Sequence, residues 1–299
     1  MDRPGRDQKR VVRRPGSDAT LRPVVPPFYD PGEGRNSIIR SYLLVNLTSL
    51  NYLPMMERWF YRDKAMETIS QLGPLLYRYV TYRAVPPPEG AASYGYYNWR
   101  MIEQWWHNSP FRSGLDYGTA LSDYWPPHYN EAVGLPTEKD REKREWIMPA
   151  PAFIFVPARP TEDFKGAGLS LADGNNLRWL IILRYPDGVS REEGDDWYIN
   201  THAPEVCEQP GLKRFFSFHA VEPSSSVGPW VRVSELWYEN HDAWRHSVIE
   251  SVPHYTKPPW SVLGKYPFLR PGIDFISMFL LERPECDFLR EYRGYTVTA

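Results

Sequence analysis

The chain contains two copies of one sequence pattern. The segment "NWRMIEQWWHN" at 98–108 returns as "WVRVSELWYEN" at 230–240. The same number of positions separates each matched pair, which are Arg100 with Arg232, Glu103 with Glu235, Trp105 with Trp237 and Asn108 with Asn240. Internal similarity of this kind is typical of a duplicated structural unit. The fold therefore has to accommodate two copies of one unit in tandem.

The duplication extends over most of the chain. Further matches, in the same order, are 58–73 with 196–211, 78–85 with 214–221, 125–128 with 257–260 and 153–160 with 278–284. The spacing between partners drifts from one match to the next, which indicates that the loops changed length after the copying. We predict an N-terminal arm at 1–36, a first α+β unit at 37–165 and a second at 175–299. The arm has too few apolar residues to fold by itself, so we expect it to be disordered or to wrap around the body.

Each copy predicts the order β-α-β-β-α-β. In the first copy we expect strands within 37–50, 77–85, 97–107 and 152–158, a helix over 54–73, and a short helix in the insert at about 108–147. In the second we expect strands at 177–186, 214–221, 230–239 and 274–282, with helices from about 190 and near 241–250. Ser190 and Glu193 have the spacing of a helix capping box. This order is the split βαβ pattern of ferredoxin-like domains. Because bare sheet faces and edges need covering, we predict that the two units form one intrachain α+β barrel.

Composition limits the classes of function. A net charge of -2 argues against a nucleic-acid partner, and no apolar run is long enough to cross a membrane. Cys207 and Cys286 have no metal-binding or redox spacing, so we expect free thiols, no metal site and a cytoplasmic location. No nucleotide-binding motif occurs. The 12 Trp and 20 Tyr predict a ring-rich core, a ring-lined cavity, or both. We expect a small aromatic molecule as partner, and a homodimer remains open.

One segment of the second copy carries a family likeness. "DWYINTHAPEVCEQPGLKRFFSFHAV" at 196–221 resembles the signature of EthD-like proteins of the dimeric α+β barrel superfamily. The matching residues are Trp197, His202, Pro204, Pro210, Gly211 and Arg214. Most such proteins are single units that dimerise, so this chain resembles a fused pair. The resemblance implies the barrel fold and leaves the reaction open, since the superfamily holds cofactor-free isomerases, cyclases, lyases and monooxygenases as well as haem enzymes.

The two copies differ at positions that could carry chemistry. His202 stands where the first copy has Lys64, and His219 stands where it has Arg83. An imidazole can accept and return a proton near neutral pH, although His202 could instead bridge a helix break structurally. We expect Pro204 to kink or restart the helix beside it. The strand face that carries His219 or Arg83 also carries aromatic and hydroxyl residues, which predicts an anion-binding face of the barrel interior or, alternatively, a wet strand end.

Shared acids and one loop histidine are further candidates. Glu103 and Glu235 lie in mid-strand, where an unpaired carboxylate would be costly to bury. Arg100 and Arg232 should lie on the opposite strand face, so we expect pairing across the pseudo-twofold axis with other basic groups. The alternative is that one of the two acids is a general base with a raised pKa. His128, in "YWPPHY", is interpreted as part of a lid or of a plain surface loop.

These patterns together predict a cofactor-independent lyase of aromatic-compound catabolism. The reaction would be decarboxylation or another elimination by proton transfer on a hydrophobic aromatic or phenolic carboxylic acid. The predicted catalytic residues are His202, His219 and Glu235, and the predicted substrate-binding residues are Arg83, Tyr82, Tyr198, Trp237, Glu103 and His128. Two alternatives stay open. One is a haem-dependent oxidoreductase or dehydratase on the same fold, with His202 as axial ligand. The other is a non-catalytic binding or assembly protein.

Overall fold

The computed structural model describes residues 39–72, 76–106, 124–135, 153–166, 176–221 and 229–289. The predicted arm at 1–36 and most of the insert at about 108–147 lie outside these ranges. The first unit consists of β1 (Ile39–Val45), α1 (Leu53–Trp59), α2 (Ala65–Leu72), β2 (Leu76–Arg83), β3 (Tyr96–Tyr97), β4 (Arg100–Trp106), α3 (Tyr129–Val133) and β5 (Phe153–Lys165). The second consists of β6 (Leu177–Leu183), α4 (Arg191–Trp197), α5 (Ala203–Cys207), β7 (Arg214–Ala220), β8 (Arg232–Tyr238), α6 (His241–Arg245), β9 (Phe275–Leu281) and β10 (Cys286–Asp287). The predicted order of strands and helices is confirmed.

The strands of both units form one sheet in the order β10-β2-β4-β1-β5-β7-β8-β6-β9-β3. The units join at two seams. At one, β5 pairs antiparallel with β7. At the other, Ala84, just after β2, bridges to Leu280 of β9, and the amide of Val85 donates to the carbonyl of Phe279 at 2.8 Å. The second seam closes the sheet on itself, so that the described strands leave no long edge open to another chain. The protein is therefore an α+β fold in which tandem ferredoxin-like repeats build an intrachain dimeric α+β barrel.

Each long strand buries both of its faces. One face turns into the barrel, where side chains from both units meet, such as Leu44 and Val80 from the first and Leu180 and Phe218 from the second. The other face packs under the helices of its own unit. The interior and the helix side are thus separate cores divided by the sheet. Because side chains alternate along a strand, neighbouring residues belong to different cores.

This alternation corrects one prediction. Phe215, Ser217 and His219 lie on the helix side of β7, not in the barrel interior, because Phe215 belongs to the core under the helices of the second unit. Phe216 and Phe218 are the residues that face the interior. The pattern could not distinguish the two faces, because both faces of a helix-covered strand are buried and neither gives a polar side.

The helix that carries His202 contains a π turn at Tyr198–His202 between α4 and α5. The first unit has the same turn at Phe60–Lys64, between α1 and α2, and has no proline there. An α-helical segment restarts at Ala203, with Pro204 in its first turn, as expected, and Ala203 keeps helical dihedral angles (φ -64°, ψ -41°). The turn belongs to the repeat and not to the proline. Turns of this kind are frequent at functional sites. Here the turn ends on a buried side chain in both copies, Lys64 and His202.

Ser190 caps the start of α4 as predicted. Its side-chain oxygen accepts a hydrogen bond from the amide of Glu193 at 3.1 Å. An oxygen at this position satisfies an amide that has no partner within the helix, so the helix begins at a defined residue. This fixed start sets which helix residues face the sheet, among them Asp195, Tyr198 and His202.

Candidate functional site

The imidazole of His202 lies in an aromatic enclosure on the helix side of the second unit. It stacks on Trp197, with ring centroids 4.9 Å apart, and on Tyr266, with centroids 5.7 Å apart. The ring of Tyr198 is 5.0 Å away, and Tyr255 stacks on Tyr266 at 4.1 Å. His202 Nδ1 has no hydrogen-bond partner among the described residues. The enclosure therefore holds an imidazole nitrogen that is buried and not engaged by the described part of the chain.

Burial lowers the pKa of His202 to about 3, and the positive charge of Arg232 lowers it further in the same direction. The imidazole is therefore neutral at every pH at which most proteins work. A neutral imidazole can accept a hydrogen bond or a proton through its unprotonated nitrogen. Any negative charge brought close to it would raise its pKa and so increase its basicity.

Next to the enclosure, on the same side of the sheet, Arg232 is the centre of a buried ionic cluster. Its Nη1 donates to Oε2 of Glu162 at 2.7 Å and to Oγ of Ser217 at 2.7 Å. Its Nη2 donates to Oδ1 of Asp195 at 2.7 Å. The guanidinium carbon lies 4.4 Å from the ring centroid of Tyr198. Tyr198 thus separates the ionic cluster from the imidazole of His202 and contacts both.

His219 completes this cluster. Its Nε2 contacts Nη2 of Arg232 and lies 3.3 Å from Oδ2 of Asp195 and 3.5 Å from Oε1 of Glu162. Burial and the charge of Arg232 lower the pKa of His219 to about 4, against the opposite effect of the two carboxylates. Burial is the largest single effect on Asp195 and favours its neutral form, but Arg232, His219 and the hydroxyl of Tyr185 together outweigh it, and the pKa of Asp195 is lowered. The hydroxyl of Tyr185 donates to Oδ1 of Asp195 at 2.7 Å. The cluster thus holds Arg232 between two carboxylates, and Nε of Arg191 lies 3.7 Å from Oδ2 of Asp195.

The first unit has an equivalent cluster around Arg100. This arginine donates from Nη2 to Oε2 of Glu57 at 2.5 Å and from Nη1 to Oε2 of Glu285 at 2.8 Å. Arg83, at the position of His219, lies 2.9 Å from Glu57 and 2.8 Å from Glu285. Each cluster therefore takes one carboxylate from the helix of its own unit and one from the other unit. Arg83 and His219, which we expected to hold one anion together, lie in different clusters.

The two shared glutamates lie inside the barrel. Oε1 of Glu103 is 3.3 Å from Nη1 of Arg40, and Oε2 of Glu103 is 3.9 Å from Nη1 of Arg178. The same Nη1 of Arg178 is 3.5 Å from Oε1 of Glu235. The partners are basic residues other than Arg100 and Arg232, as expected. The shorter pairs lie within one unit, and the contact of 3.9 Å between Glu103 and Arg178 is the one that crosses the pseudo-twofold axis. Burial raises the pKa of Glu235, although Arg178 opposes the shift.

The predicted site residues thus fall into separate places. The structure brings together His202, Tyr198 and His219 on the helix side of the second unit. Glu103, Glu235, Tyr82 and Trp237 face the barrel interior, on the other side of the sheet. His128 is exposed in the first unit and lies 2.8 Å from Glu131, with a left-handed backbone (φ 60°).

The sequence reasoning missed several residues of the site. Asp195 could have been found, because it aligns with Glu57 in the repeat that aligns Trp197 with Trp59. Tyr255 and Tyr266 lie in a proline-rich loop and gave no signal. Glu162 gave none either, because it comes from the unit that lies on the other side of the seam. In the described ranges, no group of three or more His, Cys, Asp or Glu side chains is placed to hold a metal ion. No helix there is long and apolar enough to cross a membrane.

Known proteins provide limited comparison. The sequence model of the chalcone isomerase N-terminal domain matches residues 36–138, which fall in the first unit. The match does not reach the second unit, where His202 and Arg232 lie. No curated protein matches the sequence. The family model that matches is not that of EthD-like proteins, so that resemblance stays a prediction.

Three solved structures are among those similar to this chain. A protein described as anthrone oxidase-like is 9% identical over 85% of this chain and 94% of its own, with a TM-score of 0.44. A candidate monooxygenase from Lactobacillus acidophilus is 11% identical over 84% of this chain and 96% of its own, with a TM-score of 0.32. A candidate monooxygenase from Fusobacterium nucleatum is 7% identical over 85% of this chain and 98% of its own, with a TM-score of 0.33. Similarity at this level carries no functional argument.

Proposed function

We propose that this protein is a cofactor-independent enzyme that transfers a proton on an aromatic or phenolic carboxylic acid. The substrate would bind in the enclosure around His202, and the reaction would be decarboxylation or a related elimination, which makes the enzyme a lyase. The observation that carries the proposal is the environment of His202. Its imidazole is neutral, enclosed by aromatic rings, and has a nitrogen that no described residue engages.

The enclosure favours an aromatic guest. Its walls are the rings of Trp197, Tyr198, Tyr255 and Tyr266, and ring faces bind a planar aromatic molecule by offset or edge-to-face contact. The hydroxyl of Tyr266 is buried and has no hydrogen-bond partner among the described residues. A phenol or carboxylate in the enclosure would give that hydroxyl a partner. A mostly apolar site with a few unengaged polar atoms is the usual composition of a small-molecule site.

His202 is proposed as the proton carrier. In the free protein its low pKa makes it a weak base, but a bound carboxylate would add negative charge nearby and raise that pKa. Its basicity would therefore increase when the correct substrate is bound. In a decarboxylation, His202 would take the phenolic proton and return it to carbon while the bond to the carboxylate breaks. Carbon dioxide would leave, and the remaining phenolate would take a proton from water.

Arg232 is proposed as a positioning residue. Its guanidinium packs on the ring of Tyr198, whose hydroxyl lies 2.5 Å from Oγ of Ser234. These contacts fix Tyr198 as one wall of the enclosure. Glu162 and Asp195 both bind Arg232, so its charge is largely compensated before any substrate enters. His219 would tune this compensation through its contact with Arg232 and would not touch the substrate.

An isomerase is the second candidate. It is favoured by the match of residues 36–138 to the chalcone isomerase N-terminal domain. Isomerisation of a phenolic ketone would use the same neutral base and would also need no redox cofactor. The two reactions differ in their products, since isomerisation keeps the mass of the substrate and decarboxylation lowers it by the mass of carbon dioxide.

The experiment is a product screen on the full-length chain by mass spectrometry, with phenolic acids and phenolic ketones as substrates. His202→Phe keeps a ring in the enclosure and removes the base, so we expect it to lose turnover by at least about a hundredfold. His246→Phe makes the same substitution at an exposed position of the second unit and should leave turnover unchanged. Equal turnover of His202→Phe and the unmodified protein would reject the assignment. A Soret band in the active protein would favour the haem alternative, and binding without turnover would favour a binding protein.

A further inference from the structure

The barrel interior contains a guanidinium that is only half engaged. Arg178 is buried, and its Nη1 is the atom that lies near Glu103 and Glu235. Its Nε and Nη2 are also buried and have no hydrogen-bond partner among the described residues. Together these two nitrogens form one edge of the planar group. An arginine edge with two parallel N–H bonds is the shape that binds a carboxylate through both of its oxygens.

A third unengaged donor lies next to this edge. Trp237 on β8 is the direct register partner of Arg178 on β6, and both side chains face the barrel interior. Directly paired residues on one face of a sheet have Cβ atoms about 5 Å apart. Nε1 of Trp237 is buried and has no hydrogen-bond partner among the described residues. The interior of the second unit thus presents three unengaged donors. Two acceptors close to Arg178, Oε1 of Glu235 and Oε1 of Glu282, also have no hydrogen-bond partner among the described residues, so neither of them engages these donors.

The matching position of the first unit is closed. Trp105, the repeat partner of Trp237, donates from Nε1 to Oε1 of Glu103 at 2.6 Å. Arg40, the register partner of Trp105, stacks on that ring at 4.0 Å, and its Nη1 pairs with the same glutamate. At this position the first unit leaves Nε of Arg40 without a hydrogen-bond partner among the described residues, whereas the second leaves Nε and Nη2 of Arg178 and Nε1 of Trp237. The full set of three donors therefore occurs in one copy, which is what a built binding site predicts.

Charge and position favour an anion there. Nη1 of Arg178 is the part of its guanidinium that lies beside Glu103 and Glu235, so the edge formed by Nε and Nη2 is the part left for a further anion. Burial raises the pKa of Glu235, which favours its neutral form and reduces the negative charge beside Arg178. The ring of Tyr82 lies 4.1 Å from the guanidinium carbon of Arg178 and covers one face of that group, so a ligand can approach along the edge. Arg178 is the second residue of β6, one pair in from an end of the barrel.

We propose that the interior of the barrel binds a small carboxylate, held side-on by Nε and Nη2 of Arg178 and by Nε1 of Trp237. This site lies on the opposite side of the sheet from His202 and does not depend on the function proposed for it. The chemical class is a monovalent planar oxyanion of the size of formate or acetate. A larger aromatic acid belongs to the enclosure and not here.

The test measures binding of formate and acetate to the full-length chain by calorimetry and by thermal unfolding. Chloride at the same ionic strength is the control. We expect saturable binding of formate and a melting temperature that rises with its concentration, because a ligand that binds only the folded state stabilises it. Trp237→Phe keeps the ring and removes one donor, so it should weaken formate binding about tenfold. Trp105→Phe removes the repeat partner, whose donor is already engaged, and should leave formate affinity unchanged although the fold loses stability.

Arg178→Lys removes the two-donor edge and keeps the charge, so formate binding should be lost in any folded preparation of that variant. Two outcomes overturn the proposal. One is the absence of any formate effect beyond that of chloride, which would mean that water or the neighbouring Glu282 satisfies the donors. The other is equal formate affinity in Trp237→Phe and the unmodified protein.

Discussion

Arg232 of the second unit donates a hydrogen bond of 2.7 Å to Glu162 of the first unit. This contact crosses the seam between β5 and β7 and reaches the cluster beside the enclosure of His202. The repeat-related contact, from Arg100 to Glu285, crosses the other seam at 2.8 Å. The two glutamates differ in exposure, since 9% of the Glu162 side chain is exposed and 29% of that of Glu285. The two seams therefore have the same topology, but water can replace the carboxylate more easily at Glu285 than at Glu162.

Glu162→Gln should destabilise the protein more than Glu285→Gln. Removing a buried acid leaves Arg232 with one carboxylate in a dry site, and we expect a loss of about 2–3 kcal/mol in the free energy of unfolding. At Glu285 water can take the vacated place, so the loss should stay below about 1 kcal/mol. Urea unfolding of both variants measures the difference. Equal losses would show that the two clusters are energetically alike.

Stability should fall as the pH is lowered, because His202 is buried in its neutral form. Its folded pKa of about 3 lies below the ordinary value of 6.5, so the unfolded chain takes up a proton that the folded chain does not. The contribution of neutral His202 to the free energy of unfolding is fully present above pH 6.5. It is lost as the pH falls towards 3, by up to about 1.4 kcal/mol per pH unit. His219, with a pKa of about 4, acts in the same direction.

Urea unfolding between pH 7 and pH 4.5 tests this. The slope of the free energy of unfolding against pH reports how many protons the chain takes up on unfolding. In His202→Phe this uptake should be smaller by about one proton, and the contribution of His219 should remain. A slope that does not change in His202→Phe would mean that the imidazole is protonated, or reaches water, in the folded state.

The pH dependence of catalysis follows from the same pKa. If His202 is the base, kcat/KM reports its pKa in the free enzyme, so the acid limb of the profile should lie well below pH 5. A decline of kcat/KM centred near pH 6.5 would indicate an ordinary, water-exposed histidine as the base. Steady-state rates from pH 4.5 to pH 8, with a substrate from the product screen, distinguish the two results.

Gly194 should not tolerate a methyl group, although it lies in a helix where alanine is normally favourable. A Cβ at this position would come within 2.2 Å of the ring of Tyr185, which donates to Asp195. We expect Gly194→Ala to cost about 1–3 kcal/mol through displacement of that ring. At Gly264 an added Cβ meets nothing within 4 Å, so Gly264→Ala serves as the control and should change stability little. Thermal unfolding of both variants tests the pair.

The fold could be predicted from the sequence because the repeat and the alternation of strand residues are local signals. The matched segments identified the strands and helices of both units, and the position of Glu103 on the face opposite Arg100 followed from the strand period alone. Which face turned inward did not follow, because both faces are buried. The restart of the helix at Ala203 was predicted, but Pro204 is not its cause, since the first unit makes the same π turn without a proline.

The site could be predicted only in part. His202 was found because it differs from its repeat partner, and Tyr198 because it lies beside it in the same helix. Glu162 and Tyr266 were missed because each reaches the site from a segment far away in the sequence. The seam between the units brings in the first, and the loop after α6 brings in the second. Contacts of that kind depend on how the units pack, which no short sequence pattern records.

Lys64 and His202 end the same π turn in the two units and are both buried. In an assembly of two identical subunits, every substitution would appear twice, on both sides of the symmetry axis. In the fused chain a substitution appears once, so one copy of the turn can acquire an imidazole while the other keeps an amine. A change that would damage one cluster need not be repeated in the other. Fusion thus separates the evolutionary histories of two places that symmetry would otherwise force to change together.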